Sequence, residues 1–309
     1  MANIFYASSW GGSATNWLAN ALNIHPNVTC FHGSRRWPPV SALGDPPDQE
    51  VNKTVELSPK EFAHKMAEMS REDHFFGGVH GFHEHCMQEP TQCLGGRFVA
   101  LARDPLLRID SLFRHHIDAL RAARAVEFLN LATFYLQCRQ LHERLVYTFE
   151  DCHLIEKYET LDQLMGHLEE LCFLWVVLGT LSTDQSLSIL DDRQIFHMDD
   201  YTQERDRFRD LFLYLTQDRL PCTEAYLDQV FHQGKVNRHR KKGASKDPIR
   251  VFLGWPAKYQ KMFLLLATHV FDKDDFPLNL GYETLRDIIL SSKTIIKSQN
   301  LSEYGDIII

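Results

Sequence analysis

The chain alternates between two hydrophobic patterns. Short apolar runs have the length of buried strands, whereas longer stretches repeat apolar residues every three or four positions, which is helical spacing. The predicted strands are residues 3–7, 28–32, 75–83, 97–102 and 194–198. The predicted helices include one that begins near Trp17 and residues 58–70, 109–125, 128–145 and 161–181, and residues 252–270 are predicted to be rich in helix. This alternation predicts an α/β fold around a central, mostly parallel sheet flanked by helices.

The loop between the first strand and the first helix has the composition of an anion-binding turn. Its residues, with those that open the helix, are Gly11, Gly12, Ser13, Ala14, Thr15, Asn16 and Trp17. Free N–H groups and the positive end of the helix dipole collect there, which suits a phosphate or a sulfate. The alternative is an ordinary turn capped by Ser13 or Thr15. Neither a Walker A nor a G-x-G-x-x-G sequence occurs in the loop, which argues against an ordinary ATPase and a dinucleotide oxidoreductase.

A second motif follows strand 97–102. Arg103-Asp104-Pro105 begins a predicted helix, and Ser111 lies eight residues after the arginine. A guanidinium gives a phosphate several charge-assisted hydrogen bonds, and a helical hydroxyl can add another. The alternative is simple helix initiation, with Asp104 as the cap and Pro105 at the first position.

The two motifs, in this order, resemble those of sulfotransferases that use 3′-phosphoadenosine 5′-phosphosulfate (PAPS). The first loop resembles their phosphosulfate-binding loop, and the Arg103-to-Ser111 segment resembles their 3′-phosphate motif. The resemblance implies a P-loop-like sulfotransferase fold, which is a three-layer sandwich. It also implies transfer of a sulfuryl group from PAPS to a hydroxyl or amine acceptor, with release of 3′,5′-ADP. Gly12 stands where the family carries a basic residue.

The resemblance extends to further candidate residues. His80 and His83 leave their strand where the family places its general base, and His80 is preferred. A basic segment at about residues 235–246 resembles a lid over the nucleotide, with its core at Arg240, Lys241, Lys242 and Gly243. That segment can also be a solvated loop. The spacing of the histidines around His83 fits no familiar metal framework, so we predict no metal.

Arg35 and Arg36 follow the second predicted strand. They lie in a long stretch whose sequence predicts irregular structure. We expect the second strand to neighbour the first in a parallel sheet, so that an arginine after it reaches the 5′ side of the nucleotide. That arginine would replace the missing cation at Gly12. The alternative is a solvated basic pair.

Composition bears on the number of domains, the partners and the location of the protein. The chain has 309 residues, 44% of them hydrophobic, and we expect a single domain over residues 1–309 with a helix-rich middle at about 109–190. A net charge of −8 argues against nucleic acid as a partner. Seven cysteines without a C-x-x-C pair suggest reduced thiols and a cytoplasmic protein. The early first strand and the lack of a long apolar run predict neither a signal peptide nor membrane association.

The acceptor is left open by the sequence, and a small molecule, a sugar or a peptide would all fit. Gly12 also keeps a second function in view, because a chain without the family's basic residue can be a catalytically inactive nucleotide-binding protein on a sulfotransferase fold. A third hypothesis, a kinase-like phosphoryl transferase, has less support, since the P-loop Lys-Ser/Thr pair is missing from the sequence.

Overall fold

The computed structural model describes residues 2–9, 14–33, 35–38, 54–80, 84–121, 168–233, 246–271 and 276–298. The strands are β1 (Ile4–Ser8), β2 (Val28–His32), β3 (Arg36–Trp37), β4 (Val55–Glu56), β5 (Phe75–His80), β6 (Arg97–Ala102) and β7 (Ile195–His197). The helices are α1 (Thr15–Asn23), α2 (Pro59–Met69), α3 (Gln88–Cys93), α4 (Pro105–Arg121), α5 (Leu168–Leu187), α6 (Met198–Gln203), α7 (Arg205–Leu215), α8 (Glu224–His232), α9 (Pro248–Leu253), α10 (Ala257–Val270) and α11 (Glu283–Ser298). Short 3-10 turns are Glu84–Met87, Asp192–Gln194 and Leu278–Leu280.

The chain divides into two compact units. The first comprises Met1–Arg103, Ser186–Lys242 and Asn279–Gly281, and it contains every strand named above. The second comprises Asp104–Gln185, Gly243–Leu278 and Tyr282–Ile309, and its described elements are helices. Each unit is assembled from separate stretches of chain. The single domain expected over residues 1–309 stays a prediction.

The first unit is built on a five-stranded sheet in the order β2-β5-β1-β6-β7, and its neighbouring strands run parallel. This confirms the α/β class and the parallel sheet predicted from the sequence. The expectation that β2 neighbours β1 is wrong, because β5 lies between them. Glycines make this possible: a Cβ on Gly77 would overlap the ring of Phe5 in β1, and one on Gly78 would overlap the ring of Phe31 in β2.

Helices cover both faces of the sheet. On one face, alternate β1 residues Phe5 and Ala7 join the cluster formed by α1, α7 and α8. On the opposite face, the ring of Phe31 packs edge-on against that of Phe62 in α2, with their centroids 5.1 Å apart. Since successive strand residues point to opposite faces, a fully buried strand must be apolar throughout, which explains the uninterrupted runs in the sequence. The sheet is therefore the middle layer of this unit.

Two predicted segments differ in detail from the structure. The irregular stretch after β2 has paired ends, since β3 and β4 form a short antiparallel ladder with Arg36 opposite Glu56, whereas residues 39–53 lie outside the described part. The predicted helix at 128–145 also lies outside it.

Ser58 and Glu61 form the capping box that starts α2, which confirms the predicted helix start.

In the helical unit, a charged pair is buried next to a tyrosine hydroxyl. Arg108 of α4 is 1% exposed and forms an ion pair with Asp184 of α5. The hydroxyl of Tyr282 donates to the same carboxylate at 2.7 Å. We call these three residues the Arg108 cluster. Among the described helices, none is both long and apolar enough to cross a membrane.

Candidate functional site

The strand order of the sheet reverses between β1 and β6. From β1 the chain builds β2 and β5 on one side, and it then returns to place β6 on the other side of β1. Ser8 of β1 lies opposite Ala100 of β6, so both strands end at the same edge. Open α/β sheets bind ligands where the strand order reverses in this way. The first loop and Arg103 both begin at this edge.

The N-terminus of α1 has an unusual backbone. Ala14 precedes the helix with φ 54° and ψ 32°, a left-handed conformation, and it supplies no side-chain cap. A left-handed residue next to a helical one turns consecutive N–H groups to one side, a geometry that binds anions. Thr15 is the first helical residue, so the alternative in which it caps the helix is wrong, and Ser13 lies outside the described residues.

A buried hydroxyl lies at the end of the strand that leads into this loop. Ser8 is fully buried, and its Oγ has no hydrogen-bond partner among the residues that the structure describes. Buried hydroxyls normally make at least one hydrogen bond. A hydroxyl held in this way can donate to an anion at the loop, which fits a phosphate-containing ligand.

Thr15 is joined to the neighbouring part of the sheet edge. Its Oγ lies 3.0 Å from Nε2 of His32, the last residue of β2. The position of β2 is fixed in turn by Asn23 at the end of α1, whose Oδ1 accepts from the N–H of Cys30 at 2.9 Å and whose Nδ2 donates to the Cys30 carbonyl. No local sequence pattern connects His32 with Thr15, because the two residues lie 17 positions apart in different elements.

Arg103 follows β6 directly and is 5% exposed. Burial raises the pKa of Tyr201 in α6. The charge of Arg103 lowers that pKa, and the charge of Asp199 raises it further. The Tyr201 ring lies 6.2 Å from that of Trp17 in α1. Tyr201 is therefore close to both candidate anion-binding elements. Sequence reasoning missed it, although it follows the carboxyl end of the last strand.

The residues after Arg103 behave as a helix start. Asp104 Oδ1 accepts from the N–H groups of Leu106 at 2.9 Å and Leu107 at 3.2 Å, so it caps α4. Burial raises the pKa of Asp104, and these two N–H groups oppose the effect. Simple helix initiation thus accounts for Asp104 but leaves Arg103 to be explained. Ser111 is half-buried in α4, and its role beside Arg103 stays a prediction.

Arg35 and Arg36 hold the β3–β4 ladder together. Arg35 donates to the carbonyl of Leu57 at 2.6 Å, and its Nη2 lies 3.5 Å from Glu56. Arg36 Nη1 lies 3.4 Å from the hydroxyl oxygen of Thr54. These bonds give both arginines a structural role, and their approach to a nucleotide stays a prediction.

His80 ends β5, and its backbone is in register with Ser8 at the carboxyl edge. Eight other candidate residues lie outside the described part of the chain: Gly11, Gly12, Ser13, His83, Arg240, Lys241, Lys242 and Gly243. Within the described part of the chain, no three His, Cys, Asp or Glu residues are placed to hold a metal ion.

Comparison of the chain with models of protein families, with curated proteins and with solved structures finds no match. The chemistry of the site follows from its own groups. It combines uncapped N–H groups at α1 with a buried guanidinium at Arg103, both at one edge of a parallel sheet. Such a pair of positive elements can hold two anionic groups of one ligand.

Proposed function

We propose that the protein is a sulfotransferase that moves a sulfuryl group from PAPS to a hydroxyl or amine acceptor and releases 3′,5′-ADP. The observation that carries the proposal is the adjacency of β1 and β6, since it brings the N-terminus of α1 and Arg103 to one sheet edge. PAPS is anionic at two ends, its 5′-phosphosulfate and its 3′-phosphate. Two separate anion-binding elements suit such a nucleotide better than a ligand with one phosphate.

The proposed contacts follow from the chemistry of each element. The first loop and the N–H groups that open α1 bind the 5′-phosphosulfate, with the hydroxyls of Ser8 and Thr15 as further donors. Arg103 binds the 3′-phosphate, and the motif spacing implies a further hydroxyl donor from Ser111. The resemblance gives the basic segment around Lys241, which lies outside the described residues, the role of a lid over the nucleotide. Burial of Arg103 strengthens its attraction for a phosphate, because water screens it less.

The proposed reaction is a direct transfer. The acceptor oxygen or nitrogen forms a bond to sulfur while the bond from sulfur to the 5′-phosphate oxygen breaks. His80 or His83 takes the acceptor proton. The negative charge that develops on the leaving oxygen is stabilised by the loop donors and by a cation from Arg35 or Arg36. That cation matters because losing one such donor typically slows a reaction by about a hundredfold or more, and Gly12 cannot supply it.

The proposed fold is the P-loop-like sulfotransferase fold. Support comes from the parallel sheet with β1 at its centre, from helices on both faces, and from the strand-loop-helix unit formed by β1 and α1.

Nucleotide binding tests the proposal. Isothermal titration of the purified protein should show 3′,5′-ADP binding more tightly than ATP or NAD. Arg103→Ala should weaken 3′,5′-ADP by about 2 kcal/mol or more, a loss of roughly thirtyfold, because a charged hydrogen-bonding group is removed. The loss for 5′-AMP should be much smaller, since it lacks the 3′-phosphate.

Arg97 provides a matched control. It begins β6 at the opposite edge of the sheet and is exposed, so Arg97→Ala should leave the affinity for 3′,5′-ADP unchanged. Equal losses of 3′,5′-ADP and 5′-AMP in Arg103→Ala would refute the 3′-phosphate assignment.

A nucleotide-binding protein without transferase activity is the second candidate, and Gly12 is the observation that favours it. Sulfur-35-labelled PAPS separates the two. The transferase should convert the label into a sulfated product in the presence of a suitable hydroxyl or amine acceptor, with one 3′,5′-ADP released per label. Tight 3′,5′-ADP binding without transfer to any acceptor in a broad panel would favour the second candidate.

A further inference from the structure

We propose that His32 is a positioning residue that aims the Thr15 hydroxyl at the 5′ anion of the bound nucleotide. This inference rests on the proposed function and extends it to a residue outside the loop. The observation is the 3.0 Å contact between His32 Nε2 and Thr15 Oγ. Thr15 is the first residue of α1, next to the backbone N–H groups that face the proposed anion.

In the proposed arrangement the His32 ring donates to Thr15, and this decides where the hydroxyl proton points. A threonine hydroxyl has one proton to donate and lone pairs that accept. When Nε2–H of His32 donates to Oγ, it occupies a lone pair, and the O–H is left to donate in another direction. Thr15 is 8% exposed and β-branched, so its side chain has little freedom to rotate. The O–H is then available to a ligand bound at the N-terminus of α1.

The backbone that carries the imidazole is fixed by the sheet. His32 ends β2, where it lies opposite Val79 of β5, and Asn23 pins the neighbouring Cys30 through both backbone groups. The orientation of Thr15 is therefore set before any ligand binds. Donors arranged in advance around a site of developing charge are more effective than donors that must reorganise. His32 acts through Thr15, so it need not touch the nucleotide.

Paired ligands and paired variants test this inference. In 3′-AMP the 5′-phosphate is missing, whereas 3′,5′-ADP has both phosphates. His32→Phe removes the donor and keeps a ring, and Thr15→Val removes the hydroxyl and keeps the shape. Titration calorimetry should show each variant binding 3′,5′-ADP about tenfold more weakly, with 3′-AMP unchanged.

Two further variants separate positioning from a purely structural effect. The double variant should bind 3′,5′-ADP no more weakly than either single variant, because both changes remove the same interaction. His32→Gln retains an N–H donor near the position of Nε2 and should keep the affinity within about threefold of the wild type. If His32→Phe does not fold, His32→Asn, which is polar but ends short of Thr15, should show the same tenfold loss.

The outcomes are distinct. If the wild type prefers 3′,5′-ADP but His32→Phe or His32→Asn binds it equally well, the positioning role is overturned and the proposed function stands. A variant that weakens both nucleotides equally also overturns it, since His32 would then serve the fold alone. If the wild type does not prefer 3′,5′-ADP to ATP, the proposed function and the positioning role both fail.

Discussion

Removing Asp184 should destabilise the protein strongly, because it would leave Arg108 buried without its charge partner. Arg108 is 1% exposed, and the same carboxylate accepts the Tyr282 hydroxyl at 2.7 Å. Loss of one partner of a buried ion pair typically costs about 3–5 kcal/mol. Asp184→Ala should therefore lower the free energy of unfolding by about 4 kcal/mol and the melting temperature by roughly 10 °C.

Companion variants identify the cause of that loss. Tyr282→Phe removes one hydrogen bond to a charged group and should cost about 1.5–3 kcal/mol. Replacing the pair with apolar side chains, as Arg108→Met with Asp184→Leu, should recover much of the loss, because no charge is left buried. Asp228 pairs with Arg205 at 2.7 Å on the surface, and Asp228→Ala should cost less than about 1 kcal/mol.

Urea unfolding followed by circular dichroism measures these differences. The reasoning would be refuted if Asp184→Ala stayed within about 1 kcal/mol of the wild type, or if the apolar pair were as unstable as Asp184→Ala.

Two further predictions concern the sheet and the helical unit. Gly77→Ala should lower the unfolding free energy by roughly 3 kcal/mol because its Cβ would overlap the buried Phe5 ring, whereas Gly254→Ala at the end of α9 should cost less than about 1 kcal/mol. Similar losses in urea unfolding would contradict this. Burial lowers the pKa of His116 to about 4 in the folded state, whereas the same side chain has a pKa near 6.5 in the unfolded chain. Between these two values the folded protein keeps His116 neutral and the unfolded chain protonates it. Its contribution to stability should be present above about pH 6.5 and fall by about 2 kcal/mol between about pH 7 and 5. His116→Gln should lose this pH dependence, and His115→Gln, the exposed neighbour, should keep it.

The strands were predictable because burial on both faces leaves an uninterrupted apolar run. β1, β2, β5 and β6 all appear near their predicted bounds. Strand order was not predictable in the same way. The placement of β5 depends on how the rings of Phe5 and Phe31 fill the space above Gly77 and Gly78, and hydrophobic periodicity does not contain that information.

In the candidate site, too, some features could be predicted from the sequence and others could not. Arg103 could be placed from the sequence because it directly follows a strand whose end is marked by Asp104 and Pro105. The contact between His32 and Thr15 could not, since it joins the ends of different elements through a side-chain geometry that no local pattern encodes. The Arg108 cluster is a similar case, because Asp184 and Tyr282 are 98 positions apart.

A crystal structure with 3′,5′-ADP tests the central claim most directly. The nucleotide should lie at the carboxyl ends of β1 and β6, with its 3′-phosphate within hydrogen-bonding distance of the Arg103 guanidinium. Its 5′-phosphate should contact the N–H groups and the hydroxyl at Thr15, with Arg35 or Arg36 nearby. A nucleotide bound away from this edge, or a 3′-phosphate without contact to Arg103, would contradict the assignment.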